Sequence, residues 1–155
     1  MATQDEIQQS LEALMMTPPY CHYFTQPGAG VGEFRLGGAR RPYRADACYE
    51  VRGGGYLFIE HDNAQTGLNN LAKYWYLVAD KKLPGPIFII HLIDDKRPGA
   101  SQLCRFMGDR FEQDPHPAVK YFLHEVTDWH APAEWQGKLV ASLMAIISML
   151  TGRSP

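Results

Sequence analysis

At 155 residues the chain has the size of one domain, long enough to bury a full core. Hydrophobic residues make up 45% of it, charged residues 21%, and the formal net charge is -2. That balance excludes a disordered or uniformly basic protein, so any binding to nucleic acid has to be focused on one surface.

Cys21, Cys48 and Cys104 are odd in number and widely spaced, with no CxxC pair or Cys/His knuckle. Structural zinc is therefore not expected, and free thiols in a reducing, cytoplasmic setting are. The N-terminal stretch MATQDEIQQSLEALMM is acidic where a signal peptide is basic. The longest apolar run, LVASLMAIISML, is about a dozen residues, too short to span a bilayer. The reading is a soluble protein with no membrane partner.

In chain order, residues 5–16 read as a helix, with Ile7, Leu11, Leu14 and Met15 at three-to-four spacing. The Gly/Pro-rich stretch PPYCHYFTQPGAGVG reads as loop, with a short strand around residues 33–36. Residues 43–51 alternate as a strand. Gly53 to Gly55 then turn the chain into GYLFIEHD, a strongly β-prone run, so the two segments form a hairpin. Residues 68–81 carry a helical period, with Leu68, Leu71, Trp75 and Val78 on one face. After the breaker LPGP, IFIIHLI is a continuous apolar strand of the kind buried on both sides of a sheet. Residues 99–112 predict a helix, residues 119–126 a strand, and residues 133–151 a closing helix packed against the sheet. Part of that last helix is a candidate homodimer contact. The order predicts an α/β (α+β) fold, a mixed sheet flanked by helices, in one domain over residues 1–155.

The chemistry concentrates on the hairpin. Residues two apart on a strand share a face, so Glu60 and Asp62 project together. Pairing symmetric about the glycine turn brings Asp46 opposite residues 60 to 62. Three carboxylates so placed repel one another and shift each other's pKa, a cost that a hard divalent cation such as Mg2+ or Mn2+ relieves. Such an ion binds a scissile phosphate and activates water, and a lysine stabilises the charge that develops. Lys73 on the following helix is placed for that role. Asn69, Lys73 and Tyr76 share a helical face by spacing, with Asn69 and Tyr76 as groups that orient Lys73 or a phosphate oxygen. Arg35, Arg40, Arg41 and Arg44 form a basic stretch just ahead of Asp46, suited to phosphate contacts.

The histidines show no HxH or HExxH spacing. His61 alternates away from the two acidic residues, and His91 inside the apolar strand reads as a hydrogen-bonded core residue. No G-x-S-x-G elbow and no phosphate-loop glycine pattern is present.

The constellation resembles the PD-(D/E)xK nuclease superfamily, in which an aspartate strand precedes a (D/E)xK strand and a helix. Arg44-Ala45-Asp46-Ala47 stands at the "PD" element with Ala45 in place of proline. Glu60-His61-Asp62 stands at (D/E)xK with Asp62 in place of lysine, and Lys73 is then a lysine recruited from the helix. The stretch 45–76 is most similar to the nuclease-like domain of the plasmid replication-relaxation family, through Asp46, Glu60, Asp62, Thr66, Lys73 and Tyr76. The resemblance implies a restriction-endonuclease-like sheet, catalytic Asp46, Glu60, Asp62 and Lys73, and metal ligation by Asp46, Glu60 and Asp62. It further implies Mg2+ or Mn2+ as cofactor and nucleic acid, in particular DNA, as partner, in a plasmid or phage setting. Arg40, Arg41, Arg44, Asn69 and Tyr76 are the nucleic-acid-binding candidates. The winged-helix domain that such proteins carry has no room in 155 residues. Two alternatives stand beside the nuclease: a catalytically silent nuclease fold that binds DNA or protein, and an interaction protein with no nucleic-acid role.

Overall fold

The fold is taken from a computed structural model that describes residues 3–26, 34–36, 43–62, 67–79, 85–94, 99–114 and 118–152. Helix α1 (Gln4–Met15) starts on a capping box, in which Thr3 and Glu6 each bond the other's backbone N–H through their side chains. Ile7, Leu11 and Met15 form its buried face. The stretch that reads as loop contains a one-turn helix α2 (Tyr20–Tyr23) and a two-residue strand β1 (Phe24–Thr25). Neither has a local signal, because β1 exists only through its pairing with residues 50 and 51. Strands β2 (Phe34–Leu36) and β3 (Tyr43–Ala45) make a small antiparallel ladder of their own.

The predicted hairpin is β4 (Ala47–Val51) and β5 (Tyr56–Asp62), with Cys48 opposite Phe58. Gly53, Gly54 and Gly55 all have positive φ, and a Cβ on Gly55 would lie 2.1 Å from the Pro86 carbonyl oxygen. Helix α3 (Gly67–Ala79), strand β6 (Ile87–Asp94), helix α4 (Ala100–Glu112), strand β7 (Val119–Val126) and helix α5 (Pro132–Thr151) follow.

The five-stranded sheet runs β1-β4-β5-β6-β7. Strands β5, β6 and β7 are parallel, joined through α3 and α4, while β4 is antiparallel to β5. This is the mixed sheet flanked by helices that the element order predicts, of α/β class. Leu57, Ile59, Phe88, Ile90 and Leu92 belong to one core with α1 and with Trp135, Leu139, Leu143 and Ile146 of α5. Phe58, Ile87 and Ile89 belong to a second core with Leu71, Tyr74, Leu77 and Val78 of α3 and Phe111 of α4. Strand β6 is buried on both faces, as its unbroken apolar run requires. Helix α5 packs on the sheet, and all three cysteines are free. No helix among the described residues is long and apolar enough to cross a membrane.

Two expectations need correction. The strand over residues 43–51 is broken at Asp46, which bends the chain between β3 and β4. Its backbone leaves the ladder: the N–H points at Glu60 Oε2, 3.4 Å away, and the carbonyl accepts a 2.9 Å bond from Gln8 of α1. The apolar face of α3 is also rotated from the expected stripe. Leu71, Tyr74, Leu77 and Val78 are buried, while Leu68 and Trp75 are half-buried, Trp75 stacking on Phe111.

Helix α4 comes close to β7 at Gly108, where a Cβ would stand 2.1 Å from the Tyr121 ring. Displacing the ring would disturb its hydroxyl's 2.8 Å contact with His91 Nδ1. Gly108→Ala is expected to lower stability by about 1–3 kcal/mol, seen as an earlier denaturant midpoint at unchanged slope.

Candidate metal centre

Alternation along β5 decides which side chains meet. Glu60 and Asp62 point with Phe58 to the face under α3, and His61 points to the opposite face, as expected. Asp46 joins them from the bend before β4, because its N–H turns toward Glu60 and its Oδ2 accepts the His61 backbone N–H at 2.8 Å. Carboxylate oxygens of Asp46, Glu60 and Asp62 all lie within 4.8 Å of one another. Ligands on opposite sides of a Mg2+ ion sit about 4.2 Å apart, from bonds of about 2.1 Å. One hard cation could therefore be held with a sub-ångström closure of the cluster.

Each carboxylate is fixed by neighbours. Glu60, 2% exposed, takes a 2.7 Å ion pair from Lys73 Nζ and a short hydrogen bond from the Tyr74 hydroxyl, both on Oε1. Asp62 accepts from the Asn70 amide at 2.6 and 2.7 Å and lies 2.8 Å from His91 Nε2. Lys73 also donates to Asn70 Oδ1 at 3.0 Å, so Asn70 ties the lysine to Asp62. On the other face, His61 Nε2 is 3.2 Å from Gln8 Oε1 and 3.8 Å from Asp46 Oδ2.

Four sequence-derived residues, Asp46, Glu60, Asp62 and Lys73, are thus brought together. Asn69 and Tyr76 are not part of this group: both are exposed on α3, Tyr76 by 51%. The helix residues that reach the carboxylates are Asn70 and Tyr74. Once Lys73 is turned inward, residues 70, 74 and 77 must follow it at three-to-four spacing, and that was the available signal. His91 was legible as the single polar residue in the run IFIIHLI, but its tie to Asp62 depends on the parallel register that sets Glu60 beside His91. Arg44 lies in β3, two residues before Asp46, while Arg40, Arg41 and Thr66 fall outside the described residues.

The electrostatics follow from burial. The Glu60 carboxyl is pushed up to about 7 by burial, with Asp46 adding to the rise and Lys73 and Tyr74 opposing it. Asp46 is raised as well, by burial first and then by Asp62, and the Tyr74 hydroxyl is held well above its usual range by burial and Glu60. Burial lowers His61.

These shifts give a pH dependence. Glu60 holds its proton more tightly when folded than when unfolded, so folding binds a proton between about pH 4.5 and 7. In chelator, that contribution to stability is present at pH 4.5 and is lost as pH rises through 7, by at most about 3 kcal/mol. Asp46 acts in the same direction. His61 acts oppositely, because its stabilising neutral ring is challenged as pH falls below 6.5. The Glu60 part is isolated by comparison with Glu60→Gln: the wild-type thermal midpoint should fall relative to the variant between pH 5 and 8, and parallel curves would refute the assignment.

Comparison of the chain with protein-family models, with curated proteins and with solved structures gave no match.

Proposed function

We propose that the protein is a metal-dependent phosphodiesterase acting on nucleic acid, built as a small PD-(D/E)xK-like domain. The observation that carries this reading is the convergence of Asp46, Glu60 and Asp62 with Lys73 ion-paired to the most buried of the three. A surface acidic patch has no reason to bury its members or to recruit a lysine from the next helix. The order of parts also supports it: an aspartate at a strand start, E-x-D on the neighbouring strand, then the helix bearing the lysine.

Asp46 and Glu60 are the ligands for Mg2+ or Mn2+, with Asp62 as the supporting ligand. A bound divalent ion supplies Lewis acidity toward a phosphate oxygen and a lowered pKa for water. Lys73 balances the charge that gathers at the cluster when a phosphate enters, and Tyr74 and Asn70 hold Glu60 and Asp62 in place for it. DNA is the substrate the family resemblance favours, with Arg40, Arg41 and Arg44 ahead of Asp46 as backbone contacts and Asn69 and Tyr76 on the exposed side of α3. A plasmid or phage context and a cytoplasmic location belong to the same reading.

The test is incubation of plasmid and single-stranded DNA with Mg2+ or Mn2+, beside chelator and Asp46→Ala. Cleavage that needs the ion and Asp46 supports the enzyme. Absence of both cleavage and metal binding in the wild type sinks it. One observation favours a second reading, a silent nuclease fold used for binding: Lys73 is engaged with both Glu60 and Asn70. DNA retention and metal binding without cleavage would select that reading.

A further inference from the structure

Beside the cluster, on the sheet side, His91 is 1% exposed in the middle of β6. Its ring bridges two polar groups, with Nε2 2.8 Å from Asp62 Oδ2 and Nδ1 2.8 Å from the Tyr121 hydroxyl of β7. The ring is held closely. Helix α3 begins on Gly67, whose absent Cβ would stand 3.1 Å from His91 Cε1, and the Tyr121 ring meets His91 edge-on at 6.0 Å between centroids. Tyr121 in turn occupies the space that Gly108 leaves open on α4. A line of contacts therefore runs from α4 through Tyr121 and His91 to Asp62.

The direction of the bonds follows from donor inventory. An ionised Asp62 only accepts, so the proton between it and His91 belongs to Nε2. In the neutral ring Nδ1 is then an acceptor, and the only proton for that contact is the tyrosine's O–H. Asp62 thereby selects the tautomer, and the Tyr121 hydroxyl supports it by donating to Nδ1.

We propose that His91 is a positioning residue for the metal centre: held in one tautomer between Asp62 and Tyr121, it fixes the Asp62 carboxylate in the orientation that completes the cation site. This rests on the metal-binding reading of Asp46, Glu60 and Asp62. Outer partners that orient ligating carboxylates contribute about 10–100-fold to metal affinity when removed. Asn70 holds Asp62 from the helix side, and His91 holds it from the sheet side.

Mn2+ alone is the probe, with its binding followed by loss of the free-ion paramagnetic resonance signal. Tyr121→Phe removes one hydroxyl from a ring that otherwise stays in place, and should weaken Mn2+ binding about 3–10-fold. His91→Gln can still donate an amide N–H to Asp62, and should bind more tightly than His91→Leu, which loses about 10–100-fold. A purely structural role would make affinity track thermal midpoint across the variants and would show no rescue by glutamine. Imidazole 15N shifts of the wild type should report a proton on Nε2 and none on Nδ1, with the preference weakened in Tyr121→Phe. Equal Mn2+ affinity in wild type, Tyr121→Phe and His91→Leu overturns the proposal, as does a wild-type ring protonated on Nδ1. A wild type that binds no Mn2+ overturns the metal reading itself, which is a distinct result.

Discussion

Asp46→Asn is expected to leave the protein folded and at least as stable in chelator, yet to abolish its response to divalent ions. The asparagine oxygen can still accept the His61 N–H that Asp46 Oδ2 takes at 2.8 Å, and the Asp46 carbonyl that holds Gln8 belongs to the backbone. With all groups ionised, the three carboxylates and Lys73 sum to -2 (three negative, one positive), and the variant reduces this to -1. Relief of the burial penalty and of the repulsion from Asp62, which together push Asp46 upward, offsets a weaker bond from the His61 N–H and the lost attraction to Lys73. The ion, by contrast, loses an anionic ligand. At 100 times its Kd a cation stabilises the wild type by about 2.7 kcal/mol, a shift of several degrees that Asp46→Asn should not show. Cleavage should fall on the order of 10³-fold, the scale of several kcal/mol that a bound metal contributes. Thermal midpoints with and without Mn2+, beside a DNA cleavage assay, read both effects. A variant that keeps the metal-induced shift places the ion elsewhere.

The cluster was legible in the sequence because strand parity and hairpin symmetry are short-range rules. Glu60 and Asp62 share a face by alternation, and the register Cys48 to Phe58 leads on to Asp46 beside Glu60. The parallel strands and their helices were legible for a similar reason, since IFIIHLI has no polar face to expose. What escaped depends on contacts distant in the chain. Strand β1 is held by residues 50 and 51, and the break at Asp46 by Gln8, 38 positions earlier. The rotation of α3 escaped because Lys73 was grouped with Asn69 and Tyr76, on a face set apart from the apolar stripe Leu68, Leu71, Trp75 and Val78. Lys73 and Asn70 turn inward with their polar groups satisfied by Glu60 and Asp62, which periodicity of apolar residues alone does not register.

That inward lysine is also where metal binding and catalysis should separate. In Lys73→Met the Glu60 carboxyl loses the cation that opposes its upward shift, and its pKa rises from about 7. The protein tolerates this, because Glu60 can take up a proton and still accept from Tyr74 and the Asp46 N–H, so no unpaired buried charge remains. Metal binding should survive with its pH midpoint moved upward, since the ion now competes with a more tightly held proton. Well above that midpoint, affinity should be within about tenfold of wild type, because removing a cation from the site also removes repulsion toward the incoming ion. Cleavage measured at that same pH and saturating Mn2+ should still drop about 10²–10³-fold, the scale for losing one charge-stabilising group from a closed site. Metal titration and single-turnover cleavage on one preparation decide the matter. Loss of both together makes Lys73 a structural clamp on Glu60. Retention of both removes it from the reaction and leaves the three carboxylates to account for activity alone.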